Sequence, residues 1–396
     1  MKKIKYLSLL LIIPLLSGCY NYRELNELAI NTALSIDYSN NNFNVIVEVI
    51  NPTKQQDAAS ANNSPFVNYY SSAPTLQEAF RNIVLDSPRQ LYAAQLEIII
   101  LSEEAATNHM SEILEFFSRE PESRTEVSFI IAKGDESLKS ITIQTLLTSF
   151  SSSNVKQSLD LQQKILGLTP VYTLNELLNM YLDPTLEINL PSIIVYGNPE
   201  EGDKKENITT SSPKVLTKVG TTAIFKGKDF LGYLTAEESK VHSIITGSTK
   251  ESIITLNYKD NYSVFELYKI KSDISPSIKD NKITLNISGK ARIKEFHSSS
   301  NITESKEIDN LNKELNKHIE NVIKENFNSI RKKYNTDIFN FRQSFYREDP
   351  KYYNIHYKDT WYESIFPNLT LEVKSNIKLY EKGNTLGGLN YESKNN

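Results

Sequence analysis

Apolar and polar positions alternate from Phe43 to Ile50. Phe43, Val45, Val47 and Val49 fall on one side, with Asn44, Ile46, Glu48 and Ile50 on the other. That period of two predicts a half-buried strand. Leu28 to Tyr38 predicts a partner strand, and Ser39-Asn40-Asn41-Asn42 between them reads as a hairpin turn. Residues 52–74 are rich in Ser, Asn, Ala and Gln and read as a long polar loop. Thr75, with Glu78 three residues on, predicts a helix start, and Leu76, Ala79, Phe80, Ile83 and Val84 share one face before Pro88. Strands are expected over 95–101 and 124–133, with a helix between them capped by Ser102. Residues 136–190 read as mainly helical, and Thr173 with Glu176 forms another capping box.

From Asn198 to Pro213 the apolar pattern stops, with Ile208 the exception. This predicts a linker. Beyond it, 219–225 and 230–234 flank a Lys-Gly-Lys-Asp turn as a hairpin. Three β-rich stretches, 252–258, 262–270 and 282–296, then follow one another across polar turns as an antiparallel meander. Over 304–334, Ile308, Leu311, Leu315, Ile319, Val322, Ile323, Phe327, Ile330 and Tyr334 recur at steps of three or four. That is one apolar stripe on a long helix. Glu304 and Glu307 lie toward the start and Arg331, Lys332 and Lys333 at the end, which suits the helix dipole. A last strand is expected over 369–379.

The pattern predicts an α+β, multi-domain chain. Its sheets are mixed or antiparallel, with helices packed on one face and a long amphipathic helix in the C-terminal domain. The expected divisions are a signal at 1–18, an N-terminal α+β region at 19–197 that divides near residue 135, a linker at 198–213, a C-terminal α+β domain at 214–385 and a loose tail at 386–396.

The N-terminus changes the picture from fold to address. Lys2, Lys3 and Lys5 precede an 11-residue apolar run from Tyr6 to Leu16, broken by Ser8 and Pro14. The run is too short for a bilayer span, which takes about 20 apolar residues. It ends in Leu16-Ser17-Gly18-Cys19, and Cys19 is the chain's one cysteine. Small residues before a thiol, just after an export signal, form a lipobox. Cleavage between Gly18 and Cys19 would leave Cys19 with an S-diacylglyceryl group and a free amine open to acylation. Two or more acyl chains hold a protein on a bilayer stably. The expected location is membrane, lipid-anchored, on the extracytoplasmic face, with the bilayer as first partner. With Cys19 acylated no disulfide can form, so the fold rests on its cores.

The net charge is −4, and three units more negative without the signal lysines. That argues against nucleic acid and against a polybasic membrane grip. The histidines, at 109, 242, 297, 318 and 356, are scattered, so no metal and no cofactor is expected. Neither a Gly-x-Ser-x-Gly elbow nor a glycine-rich phosphate loop occurs, and nothing calls for an enzyme. Residues 337–367 interleave Tyr346, Tyr352, Tyr353, Tyr357, Trp361 and Tyr362 with Arg342, Arg347, Lys351 and Lys358. Such a segment can clamp the long helix onto the sheet, make a protein interface or hold a ligand.

Several strings together resemble the Ger(x)C family, the lipoprotein C subunits of spore germinant receptors. They are Cys19-Tyr20-Asn21-Tyr22-Arg23-Glu24-Leu25, Thr75-Leu76-Gln77-Glu78-Ala79, Arg89-Gln90-Leu91-Tyr92, Ala223-Ile224-Phe225-Lys226, Leu231-Gly232-Tyr233-Leu234 and Asp337-Ile338-Phe339 with Tyr352, Tyr353 and Asp359-Thr360-Trp361. The chain departs from the family pattern at Tyr20, Gln95, Asn340 and Arg342, the last two standing for glycines. The resemblance implies three α+β domains without a doubly wound sheet, on the outer face of the inner spore membrane. It implies A and B membrane subunits as partners in nutrient-triggered germination, with no catalysis by the C subunit. Tyr22, Arg23, Glu24, Tyr352, Tyr353 and Trp361 are the candidate interface. The competing expectation is a solute-binding lipoprotein of an importer, which would show two similar lobes of repeated β-α-β units.

Overall fold

The computed structural model describes residues 24–52, 64–120, 125–298 and 305–381. Strand β1 (Leu28–Ser39) turns at Asn40 and Asn41, both at positive φ, into antiparallel β2 (Asn42–Ile50). Asparagine tolerates the left-handed region that this tight hairpin needs. The expected loop over 52–74 contains a further strand, β3 (Phe66–Ala73), paired with β2. It escapes the sequence pattern because only Phe66 and Ala73 are buried along it, so no apolar alternation marks it.

Helix α1 (Leu76–Asn82) starts as expected, the Thr75 hydroxyl accepting the Glu78 N–H. Short β4 (Gln90–Tyr92) and then β5 (Ile98–Leu101) lie parallel to β1. The helical stretch after Ser102 is broken at His109 into α2 (Glu103–Asn108) and α3 (Met110–Arg119). Next come β6 (Ser128–Ala132), α4 (Ser151–Ile165), α5 (Leu174–Leu182) with its Thr173–Glu176 capping box, and β7 (Asn189–Tyr196). After α6 (Pro199–Gly202), β8 (Leu216–Lys226) and β9 (Asp229–Tyr233) complete a nine-stranded mixed sheet ordered β3-β2-β1-β5-β6-β7-β8-β9, with β4 beside β1. Strands β1, β5, β6 and β7 are mutually parallel and run in chain order, without the reversal that makes a ligand crevice in doubly wound sheets.

Helices cover one face of this sheet, as expected, and the opposite face as well. Leu34, Ile36, Val45, Ile99 and Phe129 meet α1, α2, α3 and α5 in one core. Ala33, Ile98, Ile100 and Ile130 meet Val155 and Leu159 of α4 in another. The uninterrupted apolar run Ile98–Leu101 is what a parallel strand covered on both sides requires.

The second sheet is the predicted meander with one addition. Strands β10 (Glu251–Tyr258), β11 (Asn261–Ser277) and β12 (Lys282–Phe296) follow α7 (Ala236–Ile245) and are antiparallel neighbours. Helix α8 (Ser305–Tyr334) crosses over, α9 (Phe341–Glu348) and α10 (Pro350–His356) follow, and β13 (Thr370–Glu381) returns parallel to β12. The apolar stripe of α8, with Leu311, Leu315, Ile319, Ile323, Phe327 and Ile330 all buried, is the centre of a third core.

Candidate functional site

The lipobox Leu16, Ser17, Gly18 and Cys19, and the candidate interface residues Tyr22 and Arg23, lie outside the described residues. Glu24 is exposed at the start of the described chain and accepts from the Asn26 amide at 3.2 Å. A single 3-10 turn, Leu25–Glu27, separates it from β1.

The aromatic segment divides by burial. Trp361 and Tyr353 are each 1 % exposed, packed with Phe345, Phe366 and Tyr357 against the stripe of α8. Of the readings open for this segment, these two candidate interface residues take the core-clamping one: Tyr353 on α10 and Trp361 at the start of the single π-helical turn Trp361–Ile365 present large apolar rings that close the core. Tyr352 is half-buried and stacks beside His356, so of the three it alone keeps a face toward solvent. Asn340 takes φ 64°, in the left-handed region. The glycine that the family pattern places there has a local reason, and asparagine is the ordinary substitute for it.

Behind these rings, a polar junction joins the two sheets. The buried Asp337 carboxylate accepts backbone N–H groups of Phe339 at 3.1 Å, Phe341 at 3.3 Å and Arg342 at 2.6 Å, and so seats the start of α9. Burial pushes its carboxyl up to about 7 against the pull of those donors. The Tyr362 hydroxyl donates to Glu187, whose other oxygen accepts the Gly227 N–H at 2.6 Å. Lys226 lies 4.4 Å from the Tyr362 ring centroid. Arg342 donates to the Tyr353 hydroxyl at 2.5 Å, and Gln343 to Asp183 at 2.8 Å. Every acid named here has a donor, and the arrangement holds elements distant in sequence together.

Sequence reasoning missed Glu48. It read as the polar side of a half-buried strand, but it is fully buried. Its carboxylate accepts from Thr32 at 2.6 Å and from the Ser151 and Ser152 N–H groups at 2.9 and 3.2 Å, capping α4 across 103 residues of chain. Burial raises its pKa, with those hydrogen bonds opposing. Nearby, a cavity of about 470 Å³ opens between β1, β2, β3 and the 135–142 turn, bordered by Asp37, Asn44, Ile46, Tyr70 and Lys139. Among the described residues, no three of His, Cys, Asp and Glu gather as metal ligands, and no helix is long and apolar enough to cross a membrane.

Two family descriptions match in succession. "Spore germination protein N-terminal domain" covers residues 21–195, and "Spore germination B3/GerAC like, C-terminal" covers 220–383. The chain is 23% identical to Spore germination protein KC of Bacillus subtilis (strain 168) over 386 residues, 95% of this chain and 94% of that one. It is 21% identical to Spore germination protein B3 of the same organism over 376 residues, 93% and 95% of the two chains. The crystal structure of the GerBC protein matches over 87% of this chain and 96% of its own, at 17% identity and a TM-score of 0.48.

Proposed function

From its membership in the Ger(x)C family of spore germination proteins, we propose that this chain is the lipid-anchored C subunit of a germinant receptor. It works through contacts with the membrane-embedded A and B subunits in nutrient-triggered germination, and without catalysis. The observation that carries this reading is the order of the two family matches, which begin two residues after Cys19 and run through both sheets to residue 383. The lipid on Cys19 supplies the membrane attachment, because two acyl chains suffice where one does not. Few residues separate that cysteine from β1, which holds the nine-stranded sheet close to the bilayer and its embedded partners. The surface offered to them starts at Tyr22, Arg23 and Glu24 and takes in the exposed side of Tyr352. The importer reading would require two similar lobes, whereas the two sheets differ in strand number, order and direction.

Replacing Cys19 with Ala in the native spore tests the proposal. The expected result is loss of the protein from the membrane fraction and a slow or absent response to one class of nutrient. Undiminished membrane retention would overturn the anchor, and a normal response despite lost retention would overturn the role in the receptor.

A further inference from the structure

The free edge of β13 is closed by side chains of α8. Helix and strand run antiparallel, and steps of four along the helix, about 6 Å, match steps of two along the strand, about 6.7 Å. Asn312 Oδ1 accepts the Leu379 N–H at 2.9 Å. Asn316 Oδ1 accepts the Ile377 N–H at 2.7 Å, and its Nδ2 donates to the Ile377 carbonyl at 2.8 Å. Glu320 Oε1 accepts the Ser375 N–H at 2.9 Å. At the other end, Arg331 Nη1 donates to the Leu369 carbonyl at 2.5 Å.

Between Glu320 and Arg331 the ladder changes character. Strand alternation turns the Val373 and Leu371 amides toward the same edge as those of Ser375 and Ile377. The helix positions in step with them are Lys324 and Asn328. An ammonium offers donors and no acceptor. The Asn328 oxygen already accepts from Arg331 Nη2 at 2.7 Å. Among the described residues, neither amide meets a side-chain acceptor on this edge, and Lys324 forms no ion pair.

At this point the surface opens into a cavity of about 350 Å³, bordered by Lys324, Asn328, Arg331, Asn368 and Leu371. Its lining includes two cations and no acid. Lys324 and Arg331 are seven residues apart and so share one helix face, about 10 Å from each other along the axis. A group seated between them has to bring acceptors and negative charge. We infer that this cavity is an oxyanion site, taking one carboxylate or phosphate group between Lys324 and Arg331, with the Leu371 amide as a further donor. Charge-assisted hydrogen bonds of this kind are the stronger ones, and the guanidinium suits either anion.

The test uses the full chain in detergent micelles, titrated with inorganic phosphate and, separately, with acetate. Chloride holds the ionic strength constant, and binding is read by calorimetry and by the thermal midpoint. Saturable binding of at least one anion is expected. Binding of phosphate alone would identify a phosphate-bearing ligand, and of acetate alone a carboxylate. Lys324→Gln should weaken binding at least tenfold. Lys324→Glu places an acceptor opposite the Val373 amide, completing the ladder from within the chain. It should abolish binding while the thermal midpoint in anion-free buffer holds or rises. Binding of neither anion, or binding unchanged in both variants, overturns the inference.

Discussion

Asp337 and His242 meet around one peptide unit and respond to pH in opposite directions. The His242 ring shares a hydrogen bond of 2.8 Å between Nε2 and the Ile338 carbonyl, and burial holds its pKa down near 4. Asp337, one residue before Ile338, is pushed up to about 7 by burial. Between about pH 4 and 7 the native Asp337 keeps a proton that the unfolded chain has released, so its contribution to stability falls as pH rises. Between about pH 4 and 6.5 the unfolded imidazole binds a proton that native His242 does not, so its contribution rises with pH. Asp337→Asn removes the first effect and keeps the second. Measured by urea unfolding, the stability of the variant relative to the parent should climb by up to about 4 kcal/mol from pH 4 to pH 7, on top of a uniform cost of about 1–3 kcal/mol for the misfitted amide. A difference that stays flat with pH would mean that Asp337 is ionised throughout. At this scale, legibility follows the reach of the partner. The Thr173–Glu176 box was readable because its groups lie three residues apart. Glu48 was not, because the amides it caps lie 103 and 104 residues away.

Helix α8 shows what a periodic pattern reveals about an element and what it hides. Its apolar stripe was legible because steps of three and four are dictated by helix geometry, and the same residues form the core. Phe327→Ala should cost about 3–5 kcal/mol in chemical unfolding, since its buried ring packs beside Phe339, Phe341 and Phe366 and its loss leaves a cavity among them. The flank of the helix that seals β13 was not legible. Asn312, Asn316 and Glu320 look like ordinary solvated positions, and no hydropathy period distinguishes an amide that faces water from one that faces a strand edge. Asn316→Ala withdraws partners from the Ile377 N–H and carbonyl together. A loss of about 1–3 kcal/mol is expected, with faster amide exchange along β13. Unchanged exchange at Ile377 would show that this edge does not depend on the side chain. Strand β3 was missed for the converse reason, since one edge strand with few buried positions leaves no alternation to read.

Across the whole molecule, the two sheets are tied by polar contacts between elements distant in sequence. Besides Tyr362 and Glu187, Tyr334 donates to the Tyr233 carbonyl at 2.9 Å and Thr336 to the Phe225 carbonyl at 3.2 Å. The break in apolar pattern at 198–213 was visible, but the antiparallel pairing of β7 with β8 across it was not, because register between strands is a property of the pair. Tyr362→Phe leaves the buried Glu187 carboxylate with the Gly227 amide and no phenol, a loss of about 1–3 kcal/mol. Hydrogen exchange should quicken on both sides of the junction, in β7–β8 and in 361–369. Quickening on one side alone would mean that the halves open independently.

The return of β13 beside β12 also sets an order in time. A parallel partner separated by the whole of α8, α9 and α10 cannot dock until the last described residues of the chain exist. Chains fold as they emerge, N-terminal parts first, and non-local pairings come late. The nine-stranded sheet can therefore be complete while the flank of α8 that seals β13, with Asn312 and Asn316, is still uncovered. The closing of the third core is thus a final event, performed by 12 residues at the C-terminal end of the described chain. Truncation there would strand an otherwise finished molecule in a sticky, half-assembled state.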